Sequence, residues 1–430
     1  MFNCTYACGS DEHQMARRSF LGMSAAGLGA IVGGLGALAQ GSAAEKLLKD
    51  QKRVVVVNMA GGLSQLESWD PKPGTPTGGP FRAIPTSVPG IHISELLPQT
   101  AKQMHHLALV RGVNIHENDH GKGGYKMFYG RPKTPAAEYP KLGAVMARTL
   151  EEHSDPSLPG HISVTPGGGG GRGNDAAYLG PRYSSISLDN GKPPQNSILP
   201  ESIKVADDKR QDFRRTANDH FLKRRRTAFT DAYTHNYEQA LQLMQRRDVF
   251  DIEKEPQKDR DRYGSHDFGR HCLLARRLLE KGISFVQVTH TNYDTHNENF
   301  NFHLEQLGEF DTPFSCLVND IAERGMLDST LFVVLSEFGR TPRINQYYGR
   351  DHWGTAWSIC LGGAKIHRGA SFGKTNDQGT AVTDGEVNHA QLFHTYLQAV
   401  GVDSEDQIDV DGRPMPLADP AFHPVKELLA

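Results

Sequence analysis

The sequence predicts an α/β fold built on a mostly parallel sheet covered by helices on both faces. Three observations carry this expectation. Short runs of β-branched and apolar residues are too uniformly hydrophobic to be half-exposed, as expected for strands buried on both faces. Segments of about a dozen residues with helical periodicity alternate with them, the pattern of a parallel sheet with crossover helices. Clusters of histidine and carboxylate residues come after several of these runs, where ligands bind in open α/β sheets.

The elements are taken in order. Residues 53–58, "RVVVVN", read as a buried strand, and the Gly61-Gly62 pair turns the chain at its carboxyl end. "LALVRGV" is a second strand, residues 141–152 a helix, and "GHISVTP" a third strand. Five consecutive glycines then open a loop from Pro166 to Tyr183, a backbone that is either flexible or closely approached by another group. A charged helical insertion spans about 202–280. Beyond it the alternation is clear. A helix at 270–281 precedes the strand "ISFVQVTH", and a long helix at 302–324 precedes "DSTLFVVLSE". A strand at 356–361, a helix at 390–400 and a tail with one polar turn and one short helix complete the chain. No internal repeat is visible.

Composition narrows the function classes. The chain has 430 residues, 37% of them hydrophobic and 23% charged, ordinary values for a globular protein. A net charge of −3 gives nucleic acid no global attraction. The run "KRRR" at 223–226 has acidic residues on both sides and reads as solvated helix charge. Histidine is abundant, at 20 residues, and it is the commonest metal ligand and proton shuttle near neutral pH. Of five cysteines, Cys272, Cys316 and Cys360 lie outside the leader, an odd number without CxxC spacing, so buried thiols are expected rather than a disulfide framework.

Residues 1–44 have the layout of a twin-arginine export signal. Arg17-Arg18 precede a weakly apolar Gly/Ala stretch, and small-residue cleavage sites end at Ala39 and Ala44. A retained membrane anchor is the alternative reading. The implied partner is the twin-arginine machinery and the implied location the periplasm or cell envelope. Residues 45–430 read as one α/β domain.

Candidate site residues lie just beyond the end of each strand. Ser64 and Asp70 come after the first, His116, Asp119 and His120 after the second, His290, Asp294 and His296 at and after a later one, and Glu337, Arg340, Asp351 and His352 after the "LFVVL" strand. Ionisable groups at buried strand ends are costly unless they pair, bind a metal or meet a charged ligand. Histidine nitrogens with carboxylate oxygens suit zinc, manganese or iron(II), with calcium also open, and no thiolate lies near to favour a softer metal. Asp294, His296, Glu337, Asp351 and His352 are the expected metal ligands. Arg111 and Arg340 are expected to stabilise an oxyanion, and Ser64, His116 and Arg343 to bind substrate.

The stretches "GGLSQLESWDPKPG", "HENDHGKGGYKMFYGRP", "YDTHNENF", "DIAERGMLDSTLFVVLSEFGRTPRIN" and "GRDHW" resemble the domain-of-unknown-function 1501 family of exported bacterial proteins, related to the alkaline phosphatase and sulfatase superfamily. The resemblance runs from Val54 to about Val402 and implies an alkaline-phosphatase-like fold. In that superfamily the first strand ends in a metal-binding carboxylate; here Gly61 and Gly62 occupy the matching positions. Where sulfatases place a cysteine or serine nucleophile this chain has His120, from which no formylglycine can be made, so the resemblance implies His120 as base or nucleophile of a rewired site. Glu337 keeps one carboxylate of the late strand, His352 matches a downstream histidine, and Asp294 with His296 matches an Asp–His pair.

Three functions stand as expectations. The chain is a metal-dependent hydrolase of sulfate or phosphate esters with a rewired site, a non-catalytic binder of sulfated or phosphorylated small molecules or glycans, or a structural protein of the cell envelope.

Overall fold

The computed structural model describes residues 51–167, 173–188, 197–222, 228–410 and 412–430. The leader expected at 1–44, most of the five-glycine run and the "KRRR" stretch lie outside these residues.

Eight strands form the central sheet. In chain order they are β1 (Arg53–Met59), β2 (Leu107–Val113), β3 (His161–Val164), β4 (Ile186–Leu188), β5 (Phe285–His290), β6 (Thr330–Leu335), β7 (Trp357–Gly363) and β8 (Ala370–Phe372). Their spatial order is β8-β2-β7-β6-β1-β5-β3-β4. Every neighbouring pair is parallel except those made by β7, which runs antiparallel to both β2 and β6. The expected fold class is therefore the one observed. The central strand β1 is in register with both neighbours, Asn58 opposite Leu335 of β6 and Met59 opposite His290 of β5. Three chains thus leave the sheet at one level, and their next residues share one space.

Seven helices are labelled α1 (His120–Tyr129), α2 (Leu142–Thr149), α3 (Lys204–Leu222), α4 (Ala228–Gln245), α5 (Asp267–Glu280), α6 (Asn299–Glu323) and α7 (His389–Ala399). Strand side chains alternate between faces, so each face has its own core. Val55, Val57, Val286, Val288 and Phe332 pack with Leu274 and Leu278 of α5 and Leu307, Phe310 and Phe314 of α6. Val54, Val56, Val110, Leu331 and Val333 pack with Met127 of α1, Val145 and Met146 of α2 and Leu392, Phe393 and Tyr396 of α7. Each such fully buried side chain is worth about 1.5–3 kcal/mol over its exposed state. No helix among the described residues is long and apolar enough to cross a membrane.

Several elements differ from expectation. The tail forms a hairpin, Gln407–Val410 with Arg413–Pro416, before a 3₁₀ turn at Lys426–Leu428. The short outer strands β4 and β8 and the helix α1 carried no clear periodicity. The region expected as a charged insertion is of two kinds. Exposed residues dominate α3, whereas α5, inside the same span, buries Cys272, Leu273, Leu274, Ala275, Leu278 and Leu279 in the core.

Candidate metal centre

The site lies just beyond the carboxyl ends of β1, β5 and β6. Its outermost wall is the loop between β6 and β7, where Gly339–Arg340 pairs with His352–Trp353 in a two-residue ribbon. That loop is tied down by a buried ion pair. Arg350 meets Glu67 through Nε at 3.0 Å and Nη2 at 2.7 Å, and both side chains are shut off from solvent. The remaining Arg350 protons go to the carbonyls of Thr341, Pro342 and Thr77, so the guanidinium is fully partnered. Burial opposes the Glu67 carboxylate, but Arg350 outweighs it and holds the pKa below the usual range.

The Gly61-Gly62 turn after β1 is the second wall. Both residues have positive φ, +115° and +93°. A Cβ on Gly61 would sit 2.5 Å from the Asp294 nitrogen, and one on Gly62 2.9 Å from the Phe338 ring. The glycines let the turn pass against the 293–294 backbone while their N–H groups face inward. Gly61 N–H donates to Glu337 Oε1 (2.9 Å), and the N–H groups of Gly62 and Leu63 donate to Ser336 Oγ (3.0 and 3.1 Å).

Helix α1 supplies the third wall. Asp119 caps it, accepting from Lys122 N–H at 2.9 Å, and His120 is its first residue. Such a cap is worth about 1 kcal/mol and here also aims the imidazole.

Asp294 is the centre of the cluster. His296 Nε2 and His352 Nε2 each lie 3.2 Å from its Oδ1, and His120 Nε2 lies 3.3 Å from its Oδ2. His296 Nε2 and His352 Nε2 are 2.9 Å apart. Each ring has its other nitrogen facing an acceptor. His120 Nδ1 is 2.6 Å from Glu337 Oε1, His296 Nδ1 is 2.7 Å from Asp351 Oδ1, and His352 Nδ1 is 2.7 Å from the Asn118 carbonyl. None of these acceptors can donate when ionised or as a carbonyl, so all three Nδ1 atoms carry the proton. In the neutral rings all three Nε2 lone pairs then face the Asp294 carboxylate. His120 Nε2 is buried without a hydrogen-bond partner.

Lone pairs do not face one another at 2.9 Å without a cation between them. A single proton could serve His296 and His352 but would leave the His120 nitrogen orphaned. A divalent metal would serve His120, Asp294 and His352 together, with His296 meeting the cluster through His352 and Asp294. Neighbouring donors around a tetrahedral ion with bonds of about 2.05 Å are about 3.3 Å apart, close to the 2.9–3.3 Å spacings here. His120, Asp294 and His352 offer donor atoms within 4.8 Å of one another. The donor set therefore fits a borderline metal bound by nitrogen and oxygen, and the three acceptors on Nδ1 are the usual outer partners of metal-bound imidazoles.

Arg340 stabilises Asp294. It is fully buried, its Nη2 lies 2.6 Å from Asp294 Oδ1, and it also donates to the carbonyls of Gly61, Gly62 and Arg350. Burial alone would raise the Asp294 pKa, but Arg340, His352 and His120 bring it down to about 2. Desolvation in turn lowers the Arg340 pKa, with Asp294 opposing.

The structure redistributes several expected roles. Asp294, His296 and His352 come together as donors. Glu337 and Asp351, expected as ligands, instead accept from the Nδ1 atoms of His120 and His296. His120, expected as base or nucleophile, sits among the donors. Arg340, expected at an oxyanion, has four of its five guanidinium protons committed to Asp294 and three carbonyls. Arg111 is likewise engaged elsewhere: it donates to the carbonyls of Trp69 (3.0 Å) and His92 (2.5 Å), beside Asp70. Ser64 is fully buried, its N–H donating to His303 Nε2 at 3.2 Å, which places it behind the site rather than facing a substrate. His116 and Arg343 are exposed. His290, the last residue of β5, is buried against Tyr293, and burial lowers its pKa to about 3. Sequence reasoning missed the carbonyl of Asn118 and the hydroxyl of Ser336; the Asn118-Asp119-His120 run does carry a capping signature just before α1.

Residues 51–429 match the family described as "Protein of unknown function (DUF1501)". The chain belongs to that family. No curated protein matches the sequence. Solved structures similar to this DUF1501 chain include a protein in the alkaline phosphatase superfamily from Vibrio parahaemolyticus, with 11% identity over 83% of this chain and 68% of that one and a TM-score of 0.39. PsFucS1 sulfatase from Pseudoalteromonas sp. has 13% identity over 91% and 76%, with a TM-score of 0.39. A TAB5 alkaline phosphatase mutant with Mg bound has 12% identity over 82% and 98%, with a TM-score of 0.34. At such scores the DUF1501 site has to be read from its own residues.

Proposed function

We propose that the protein is an exported metal-dependent hydrolase of phosphate or sulfate esters, its ion held by His120, His352 and Asp294 with His296 alongside. The observation that carries this reading is the set of imidazole Nε2 atoms, each with its Nδ1 proton committed, aimed at one carboxylate. When bound there, zinc, manganese or iron(II) supplies Lewis acidity toward an ester oxygen and toward water. The protein's own residues do the rest. Glu337, Asp351 and Asn118 fix the ring tautomers and orientations. Arg340 keeps Asp294 ionised and in place. Lys122, on the first turn of α1, and Arg343, on the 341–350 loop, are exposed cations with no ion-pair contact among the described residues, suited to an anionic substrate. Asp294 and His296 are each nearly half exposed, so a ligand can reach the cluster.

A second reading has its own observation. Among the described residues, no serine, cysteine or threonine hydroxyl or thiol meets Asp294 and the three rings, and Gly61 and Gly62 offer no carboxylates. The same cluster would then hold an anionic small molecule or glycan without cleaving it. On either reading the leader carries the folded chain through the twin-arginine machinery to the periplasm or cell envelope.

The test is metal quantification on the purified protein, with aryl phosphate and aryl sulfate turnover before and after chelation. About one equivalent of metal and turnover restored by readdition are expected for the hydrolase. Metal without turnover selects the binding reading, and a His352→Ala protein that holds as much metal as the parent refutes both.

A further inference from the structure

The 341–350 loop presents two tyrosines that the metal centre does not use. Tyr347 is 62% exposed and Tyr348 65%, adjacent large aromatic residues in open solvent. Neither ring nor hydroxyl has a partner among the described residues. Arg343, on the same loop, is the exposed cation already noted.

This exposure is not that of a slack loop. Asn345 Oδ1 accepts the N–H groups of Tyr347 (2.9 Å) and Gly349 (3.0 Å), and Asn345 Nδ2 donates to the His296 carbonyl (2.8 Å). The carbonyls of Tyr347 and Tyr348 accept from the N–H groups of Glu298 and Asn299, at 3.1 and 3.0 Å. Gly349 lies so close that a Cβ there would be 1.8 Å from the His296 carbonyl oxygen. Tyr348 holds φ at +55° and Glu298 at +49°, left-handed conformations that cost a residue bearing a Cβ about 1 kcal/mol or more. The buried Arg350–Glu67 pair anchors the far end. Rings with two χ angles on a fixed turn bind at low entropic cost.

We propose that Tyr347, Tyr348 and Arg343 form a saccharide subsite beside the metal centre, for a sugar ring bearing a sulfate or phosphate group. The C–H-rich face of a sugar packs on the aromatic rings, while its hydroxyls remain in water. The Arg343 guanidinium forks onto the oxyanion. Two rings and one cation are far smaller than the roughly 800 Å² per partner of a stable protein interface, which favours a small ring ligand over a protein. The subsite's use in catalysis rests on the hydrolase reading; its binding does not.

Binding is therefore measured by calorimetry on chelator-treated protein, which separates the subsite from the ion. The probes are a chondroitin sulfate hexasaccharide, its desulfated counterpart and mannose 6-phosphate. The parent is expected to bind at least one charged probe, the preferred one showing whether sulfate or phosphate is taken. The Tyr347→Ala, Tyr348→Ala double variant is expected to lose tenfold or more, and the corresponding Phe variant to retain binding. Arg343→Gln should weaken the charged probe severalfold while leaving the desulfated saccharide unchanged. Melting curves exclude misfolding. No binding of any probe by the parent at millimolar concentration, or equal binding by parent and Ala variant, overturns the proposal.

Discussion

If the cluster holds an ion, Glu337 holds His120 rather than that ion, and Glu337→Gln measures the difference. The carboxylate takes His120 Nδ1 at 2.6 Å and Gly61 N–H at 2.9 Å through the same oxygen, Oε1, while Oε2 rests 3.0 Å from Ser336 Oγ. Glutamine keeps the shape and can still accept from His120, but the charge-assisted bond becomes a neutral one of about half the strength. Loss of an outer partner of this kind typically weakens metal binding about 10–100-fold, or about 1.4–2.7 kcal/mol. Removal of a true ligand costs more. If about 10–16 kcal/mol of binding is shared among three donors, each carries roughly 3 kcal/mol or more, beyond 100-fold. The assay is competition with a chromophoric chelator at pH 7, backed by metal content after gel filtration. His352→Ala should lose its metal on the column, whereas Glu337→Gln should retain part of it. Equal loss in the two variants would mean that Glu337 ligates the ion and that the assignment of His120 Nδ1 as donor is wrong. An unchanged affinity in Glu337→Gln would mean that the short contact does not tune the site.

Three further outcomes are expected. Gly61→Ala places a methyl group 2.5 Å from the Asp294 nitrogen in a left-handed backbone, so it should cost about 1–3 kcal/mol in denaturant titration and lower metal content as Asp294 shifts; an alanine variant with parental metal content contradicts the close approach. Glu67→Gln leaves the fully buried Arg350 without its counter-charge and should cost about 3–5 kcal/mol in urea unfolding, whereas a loss under about 1 kcal/mol would mean that the carbonyls of Thr341, Pro342 and Thr77 suffice. Burial lowers the pKa of His303 to about 4 and that of His290 to about 3, from an ordinary 6.5. The unfolded chain takes up protons that these rings refuse, so stability should be full above pH 6.5 and decline as pH falls toward 4, by up to about 1.4 kcal/mol per pH unit for each histidine; a flat profile of urea midpoints from pH 7 to 4 contradicts it.

The fold was legible where residues obey one demand. A strand in the middle of a parallel sheet is buried on both faces, so Val54–Val57 and Leu331–Leu335 could be read without knowing any neighbour. Helix α1 was not legible because Gly121, Gly123 and Gly124 dilute its pattern. Position 123 is explained only in three dimensions, since a Cβ there would meet the Glu337 carbonyl at 2.8 Å. Strands β4 and β8 have three residues each and are only partly buried, so pairing rather than propensity makes them strands. The site divides the same way. Residue type and position after a strand showed that imidazoles and carboxylates gather at the sheet's carboxyl edge. They could not show which atom of each group faces inward, because that depends on distances between distant parts of the chain. Glu337 and Asp351 are as capable of ligation as Asp294. What separates them is that each already has an imidazole Nδ1 within 2.7 Å, whereas Asp294 meets only Nε2 atoms and a buried guanidinium. Arg340 makes the same point from the other side. Its charge suggests an oxyanion clamp, but two carbonyls from a glycine turn, one from Arg350 and the Asp294 carboxylate take four of its five protons. Its place in the site is to keep Asp294 ionised where three imidazoles converge.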